Sequence, residues 1–201
     1  VSSTPDPIET ALGSPANESR DAVRRFADRA ARRGADLFYA EEASPLGELL
    51  LIAGRRGLIA VRYAPTDLDT TLVELAERRS PRIVESAAAL DPWRRELTEY
   101  FQGARRRFEA PIDWREIAGF RRRVLRATVA IPYGESESYK AVATKAGSPA
   151  AARAAGNALG ANPLPIVIPC HRVRHASGGL GGYTGGLERK RLLLAIESGA
   201  N

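Results

Sequence analysis

The 201-residue chain has one cysteine, Cys170, two histidines, His171 and His175, and no methionine. A single cysteine excludes an intramolecular disulfide and any cysteine-based metal cluster. No window approaches the roughly 18–20 uninterrupted apolar residues of a membrane span. The opening stretch, VSSTPDPIETALGSPANESR, lacks the basic start and apolar run of a secretory signal, so a reducing cytoplasm is the expected setting. Lysine is scarce too: Lys140, Lys145 and Lys190 are the only ones among 30 basic residues. The arginine-dominated excess over 24 acidic residues gives a net charge of +6, which favours polyanionic partners. An Arg- and Ala-rich composition also accompanies a GC-rich genome, so charge alone does not decide the partner. What is present, 44% hydrophobic and 27% charged residues, reads as a soluble globular chain with enough apolar content for a core.

Along the chain, residues 1–19 are rich in Pro, Ser, Thr and Gly and read as a disordered tail. RDAVRRFADRAARR (20–33) has the spacing of an amphipathic helix ended by Gly34. Three β-rich runs follow at 37–43, 46–53 and 57–64, separated by Ser-Pro and Gly-Arg-Arg-Gly turns. Helices are expected over 66–79, behind a Thr/Asp cap, and over 90–103, from Asp-Pro to Gly103. Residues 104–115 form a connector. Beyond it the chain is helical and basic: 120–130, then 138–147 with Ser138 as N-cap, then 148–162 with Ser148 as N-cap and Pro149 at the first helical position. Two short helices joined by a tight Gly-containing turn make a helix-turn-helix. Its second helix leads with Ala150, Ala151, Ala152 and Ala154 and one long side chain, Arg153. That face is a poor sequence reader, but it suits close approach to a minor groove. It equally suits an Ala-rich helix packed in a core.

A lone cysteine is most often a small buried hydrophobe. Cys170, however, sits in NPLPIVIPCHRV (162–173), framed by Pro165 and Pro169 and followed at once by His171, which favours thiolate as base or as positive charge. A cysteine protease would need a distant His with an Asn or Asp orienter, and His175 in a Gly/Ser-rich loop fills that role poorly. A glycine-rich loop containing Tyr183 leads into a final helix. There Glu197 shares a face with Leu193 and Leu194, and an acid on an apolar face needs a partner, for which His171 is the natural candidate.

PCHRV, preceded by Asn162-Pro163 and followed by the Gly-rich loop with Tyr183 and a helix ending in Glu197, resembles the O6-alkylguanine-DNA alkyltransferases, also called methylated-DNA–protein-cysteine methyltransferases. The similarity runs from about Asp36 to Glu197 and includes IPYGESESYKAVATKAGSPAAARAAGNAL. It implies an α/β protein. An N-terminal ribonuclease H-like β-meander plus helix domain would span 36–115, and a helical winged-helix-like domain with the helix-turn-helix would span 116–201, with 1–35 as an extension.

The resemblance also implies roles. Cys170 is the alkyl acceptor, with His171 and Glu197 as a water-linked relay holding it as thiolate, and Asn162 bracing the turn. Tyr183 protonates the guanine as the alkyl group leaves. The carbonyls of Cys170 and Val173, with Thr184 and Gly185, frame the base. Arg153 fills the gap left by a flipped nucleotide, Tyr139 displaces the neighbouring phosphate, and Ala151 and Ala152 face the minor groove. The implied activity is irreversible, single-turnover transfer from O6-alkylguanine, and O4-alkylthymine besides, in double-stranded DNA. No metal, cofactor or membrane is implied. The protein would act as a monomer, with cooperative assembly on DNA left open. A non-catalytic lesion-binding or regulatory protein on the same scaffold is the competing expectation. Zinc ligands found in some relatives have no counterpart here.

Overall fold

Leucine and isoleucine at every position of Leu49–Ile52 give a strand that must be covered on both sides. In the computed structural model, which describes residues 34–64 and 67–199, this strand lies inside a four-stranded sheet. Strands β1 (Leu37–Glu42), β2 (Leu49–Gly54), β3 (Gly57–Tyr63) and β4 (Ile83–Glu85) take the order β3-β2-β1-β4. The first three are an antiparallel meander, with Leu37 opposite Gly54 and Leu49 opposite Tyr63. β4 runs parallel to β1, Leu37 opposite Ile83. It was not expected from the sequence, since three residues are too few to show alternation. The expected tail over 1–19 and helix over 20–33 lie outside the described residues.

The period-2 geometry of β2 divides its side chains between two clusters. Leu49, Leu51 and Ala53 join the main core, while Leu50 and Ile52 meet Leu37, Ile59 and Leu75 on the other face. Leu75 belongs to α1 (Leu68–Arg78), whose N-cap Asp67 accepts from the Thr70 amide at 3.2 Å. Helix α2 (Asp91–Phe101) has Pro92 in its first turn and buries Trp93, Glu96, Leu97 and Tyr100. The connector after α2 is fastened to β3, because the Leu58 amide donates to Pro111 O and the Asp113 amide donates to Leu58 O, both at 2.9 Å. Gly57 permits this approach: a Cβ there would lie 2.5 Å from the Pro111 carbonyl oxygen.

Helices α3 (Gly119–Val129), α4 (Tyr139–Lys145), α5 (Ala152–Gly160) and α6 (Leu187–Ser198) build the C-terminal half. Ser138 caps α4 as expected, accepting from the Ala141 amide. The expected start of the second helix is corrected. Ser148 and Pro149 form a turn, with the Ala151 amide bonded to Ser148 O, and α5 begins only at Ala152 without a side-chain cap. The same chemistry that recommends Ser-Pro for a helix start also suits a β-turn, and the turn wins.

Two short strands, β5 (Glu137–Ser138) and β6 (Val173–Arg174), pair in parallel and tie the start of α4 to the chain just past Cys170. The core does not stop at the joint between halves. Trp93, Leu97 and Tyr100 share one buried cluster with Val124, Leu125, Val142, Ile168 and Leu193. In addition, the Val61 amide of β3 donates to Pro163 O at 2.9 Å, so an edge strand of the sheet supports the loop that carries the cysteine. Among the described residues, no helix is long and apolar enough to cross a membrane.

Candidate active site

Cys170 opens a short 3-10 turn (Cys170–Arg172) and is only 5% exposed. Asn162 holds the loop before it. Its Oδ1 accepts from the Leu164 amide at 3.0 Å, and its Nδ2 donates to Ile168 O at 3.0 Å and to Cys170 Sγ at 3.2 Å. Between these anchors Ile166 sits at φ 74°, fully buried. A β-branched residue adopts that backbone only when its surroundings over-determine it, and Asn162 supplies much of that constraint. Asn162 thus bonds to the backbone at two points of this loop and to the sulfur itself.

Behind the thiol lies a buried charge network. His171 Nε2 is 2.8 Å from Glu197 Oε1. Glu197 also receives Arg172 Nε and Nη2 at 2.9–3.1 Å, the Tyr100 hydroxyl at 2.7 Å and the Gly134 amide at 3.1 Å. Burial alone would raise the Glu197 carboxyl, but the bonds from His171 and Arg172 outweigh it and hold it at about 2. An ionised carboxylate can only accept, so Nε2 of His171 carries the hydrogen. Nδ1 is then the atom with the free lone pair, and it is buried with no hydrogen-bond partner among the described residues. Burial lowers the imidazole's affinity for a second proton, so the ring is neutral.

Burial acts on the sulfur in the opposite sense to the sequence-based expectation. Desolvation pushes the Cys170 thiol up to about 11, against the smaller opposing effects of the Asn162 bond and the Lys190 charge. Burial therefore favours the protonated sulfur at rest. A neutral imidazole backed by a carboxylate is the arrangement that removes such a proton on demand.

A pocket of about 600 Å³ opens above the sulfur, lined by Cys170, Tyr183, Thr184, Tyr139, Ala152 and Arg153 among others. Ala151, Val173 and Gly185 are not in its wall. The Val173 carbonyl accepts from Lys190 Nζ at 2.7 Å, and the Cys170 carbonyl from the Val173 amide. Thr184 Oγ1 donates to Gly160 O at 3.1 Å, joining the Gly-rich loop to the end of α5. The Tyr139 ring meets that of His175 at a tilt of 49°, with centroids 5.2 Å apart. Arg153 is exposed and makes no hydrogen bond or ion pair among the described residues.

Four contributors escaped the sequence. Arg172 was in plain view inside PCHRV but indistinguishable from the general arginine excess. Tyr100 and Tyr63 come from the other half of the chain, and no local spacing announces them. Lys190 is fully buried, with Nζ bonded to the carbonyls of Val173, Leu180 and Gly182, so it fixes the loop that carries Tyr183. The Tyr63 hydroxyl lies 2.5 Å from that of Tyr183.

An α/β half joined to a helix-turn-helix half, with one buried thiol in a pocket beside the second helix, defines a protein that acts on DNA through a cysteine. Comparison with known proteins specifies it. Residues 37–114 match the 6-O-methylguanine DNA methyltransferase ribonuclease-like domain, and residues 119–199 match the DNA binding domain of the same family. The chain is 42% identical over 160 residues to a methylated-DNA–protein-cysteine methyltransferase of Mycolicibacterium paratuberculosis, covering 79% of this chain and 91% of that one. It is 43% identical over 134 residues to the inducible enzyme of that name from Bacillus subtilis, covering 65% and 73%. The fold is similar to Mycobacterium tuberculosis OGT in complex with DNA, with a TM-score of 0.69, 37% identity and coverage of 81% and 93%. The chain belongs to the 6-O-methylguanine DNA methyltransferase family.

Proposed function

We propose that this protein repairs DNA by direct reversal, taking the alkyl group from O6 of guanine onto Cys170, once per molecule. The observation that carries the reading is the buried thiol in the pocket wall, with a neutral His171 tied to an ionised Glu197 behind it. Transfer is an in-line displacement at an sp3 carbon. His171 Nδ1 takes the thiol proton through a bridging water, and Glu197 stabilises the imidazolium that results. Sulfur attacks the alkyl carbon, the C–O6 bond breaks, and its electron pair enters the purine. Tyr183, whose phenol burial keeps protonated, supplies the neutralising proton. The thioether is stable, and no residue nearby could hydrolyse it.

A base inside a duplex cannot reach a buried sulfur, so the nucleotide must leave the stack. Arg153, exposed at the start of α5, fills the vacancy, and Tyr139 displaces the adjacent phosphate. Ala151 and Ala152 allow α5 to approach the minor groove. The carbonyls of Cys170 and Val173 keep a second lone pair for the base edge, with Thr184 and Gly185 beside them. Binding is that of a monomer, in the cytoplasm, where the acceptor stays reduced. The halves are assigned as 36–115 for support and 116–201 for DNA and alkyl acceptance.

The test is an intact-mass spectrum after incubation with O6-methylguanine duplex, which should show the gain of one methyl group per chain, located at Cys170. Cys170→Ser should abolish the gain while duplex affinity stays within a few-fold, because phosphate contacts dominate affinity. A protein that binds the lesion but gains no mass is the non-catalytic alternative.

A further inference from the structure

His175 has no part in the chemistry above, yet it stands in the wall of the same pocket. Its backbone is fixed: the His175 amide donates to Gly179 O at 2.8 Å, and the Gly178 amide donates to His175 O at 3.0 Å. Its ring is free. The imidazole is exposed, rests against the Tyr139 ring, and makes no hydrogen bond or ion pair among the described residues. The same loop presses on Tyr139 at Gly181, where a Cβ would lie 2.4 Å from Tyr139 Oη. Tyr139 and His175 are thus set side by side at the pocket rim.

The charges around the ring are positive. Arg153 on α5 lines the same pocket, Arg174 precedes His175 in β6, and Arg191 on α6 lines the shallow hollow on the loop's other side. Lys190 is bonded to three carbonyls beneath the loop. Among the described residues, neither hollow has a carboxylate in its wall. Glu137, on the strand paired with β6, is taken by Lys145. Burial keeps the remaining titratable neighbours, Tyr139, Tyr183 and the Cys170 thiol, on the protonated side. No group of the protein's own answers a positive imidazole there, so the matching anion has to come with the ligand. Duplex DNA carries one at every nucleotide.

We propose that His175 is a duplex-binding residue: its imidazolium pairs with a backbone phosphate flanking the extruded nucleotide, beside the phosphate that Tyr139 displaces. The assignment rests on the reading that a nucleotide leaves the stack into this pocket, which brings its flanking phosphates to the rim. An imidazolium has two N–H donors and makes a charge-assisted bond to a phosphate oxygen, releasing about one counterion. Imidazole gains its charge as pH falls through the neutral range, so the contact strengthens toward acid and weakens toward base. A free O6-alkylguanine has no phosphate and gains nothing from it.

The measurement is affinity for a duplex containing O6-methylguanine at pH 6 and pH 8, in a Cys170→Ser background that cannot take the methyl group. His175→Gln should weaken binding about fivefold at pH 6 and less than about twofold at pH 8. At pH 6 its slope of log affinity against log salt should be shallower by up to about 0.9. His175→Lys keeps a charge at both pH values and should bind more tightly than the histidine protein at pH 8. Equal loss from His175→Gln at both pH values would make the ring a packing support for Tyr139 and overturn the proposal. So would no loss at either pH, or a lysine variant that binds no better than the glutamine one. If the protein with Cys170 intact gains no methyl group while this pH-dependent loss is seen, the repair reading falls and the phosphate contact stands.

Discussion

The pocket wall around the sulfur and the outer rim of the same pocket are built by opposite rules. At the sulfur, nearly every polar atom has a fixed partner: Glu197 alone collects donors from His171, Arg172, Tyr100 and Gly134, which come from three segments of the chain. At the rim, Arg153 is exposed and makes no hydrogen bond or ion pair among the described residues. Tyr139 rests on His175 and the glycine loop. Proton transfer needs groups whose positions are settled before substrate arrives, because reorganisation during the step adds to the barrier. Duplex capture needs side chains whose hydrogen-bonding capacity is still unspent. A substitution near the sulfur should therefore reduce reactions with duplex and free base together, whereas a rim substitution should separate them.

The largest effect is expected from Glu197→Gln. Losing the charge removes what stabilises an imidazolium at His171, so transfer to duplex and to O6-benzylguanine should fall together by about 10²-fold or more. The pH profile of the remaining activity should move upward. Stability gives a second reading. The Glu197 carboxyl is depressed in the fold to about 2, so its contribution is complete above about pH 4.5 and is lost as pH falls through that interval. It is worth on the order of 3 kcal/mol. Denaturation of wild type and variant at pH 7 and pH 3 should show the gap narrowing in acid. A constant gap would mean that Glu197 serves by shape and not by charge.

Arg153→Ala comes next and tests the rim. A stacked side chain of this kind is worth roughly 1–3 kcal/mol, or about 5- to 150-fold in rate at subsaturating DNA. Only the duplex reaction should suffer; the free base never needed a vacancy filled. Equal loss on both substrates would move Arg153 into the support of the site, and no loss on either would end its role in extrusion.

The two regions also differ in how much of them the sequence discloses. Cys170, His171 and Asn162 share one proline-framed segment, and Glu197 betrays itself as an acid on an apolar helix face, so their meeting could be inferred from a dozen residues and one helix. The strand meander announced itself through β-rich runs between turn residues, as did α4 through Ser138. What stayed hidden depends on contacts distant along the chain. Tyr100 on α2 reads as an ordinary core aromatic, and only the packing of the halves brings it to Glu197. β4 is too short to show a pattern. The Ser148-Pro149 pair carried a real signal for two competing structures, and local chemistry could not choose between them. The environment of Cys170 is half legible for a related reason: its neighbour His171 is visible in sequence, while the depth of burial that raises the thiol is not.

Tyr100→Phe should give the smallest effect and the most diagnostic sign. The hydroxyl donates to a charged carboxylate, a bond worth about 1.5–3 kcal/mol, though Glu197 keeps its other donors and the net loss should lie near the lower end. Chemical denaturation should register that loss. Activity should move the other way from Glu197→Gln. With one donor fewer, the carboxylate is more basic and holds an imidazolium at His171 more strongly, so the thiol proton leaves more readily. The free-base reaction should be as fast as wild type or slightly faster near neutral pH, with its profile displaced toward lower pH. Less stable yet no slower is a combination that general loosening of the site cannot produce. A profile displaced upward would mean that Tyr100 holds Glu197 in place for His171, and that the donors around the carboxylate act by geometry before they act by charge.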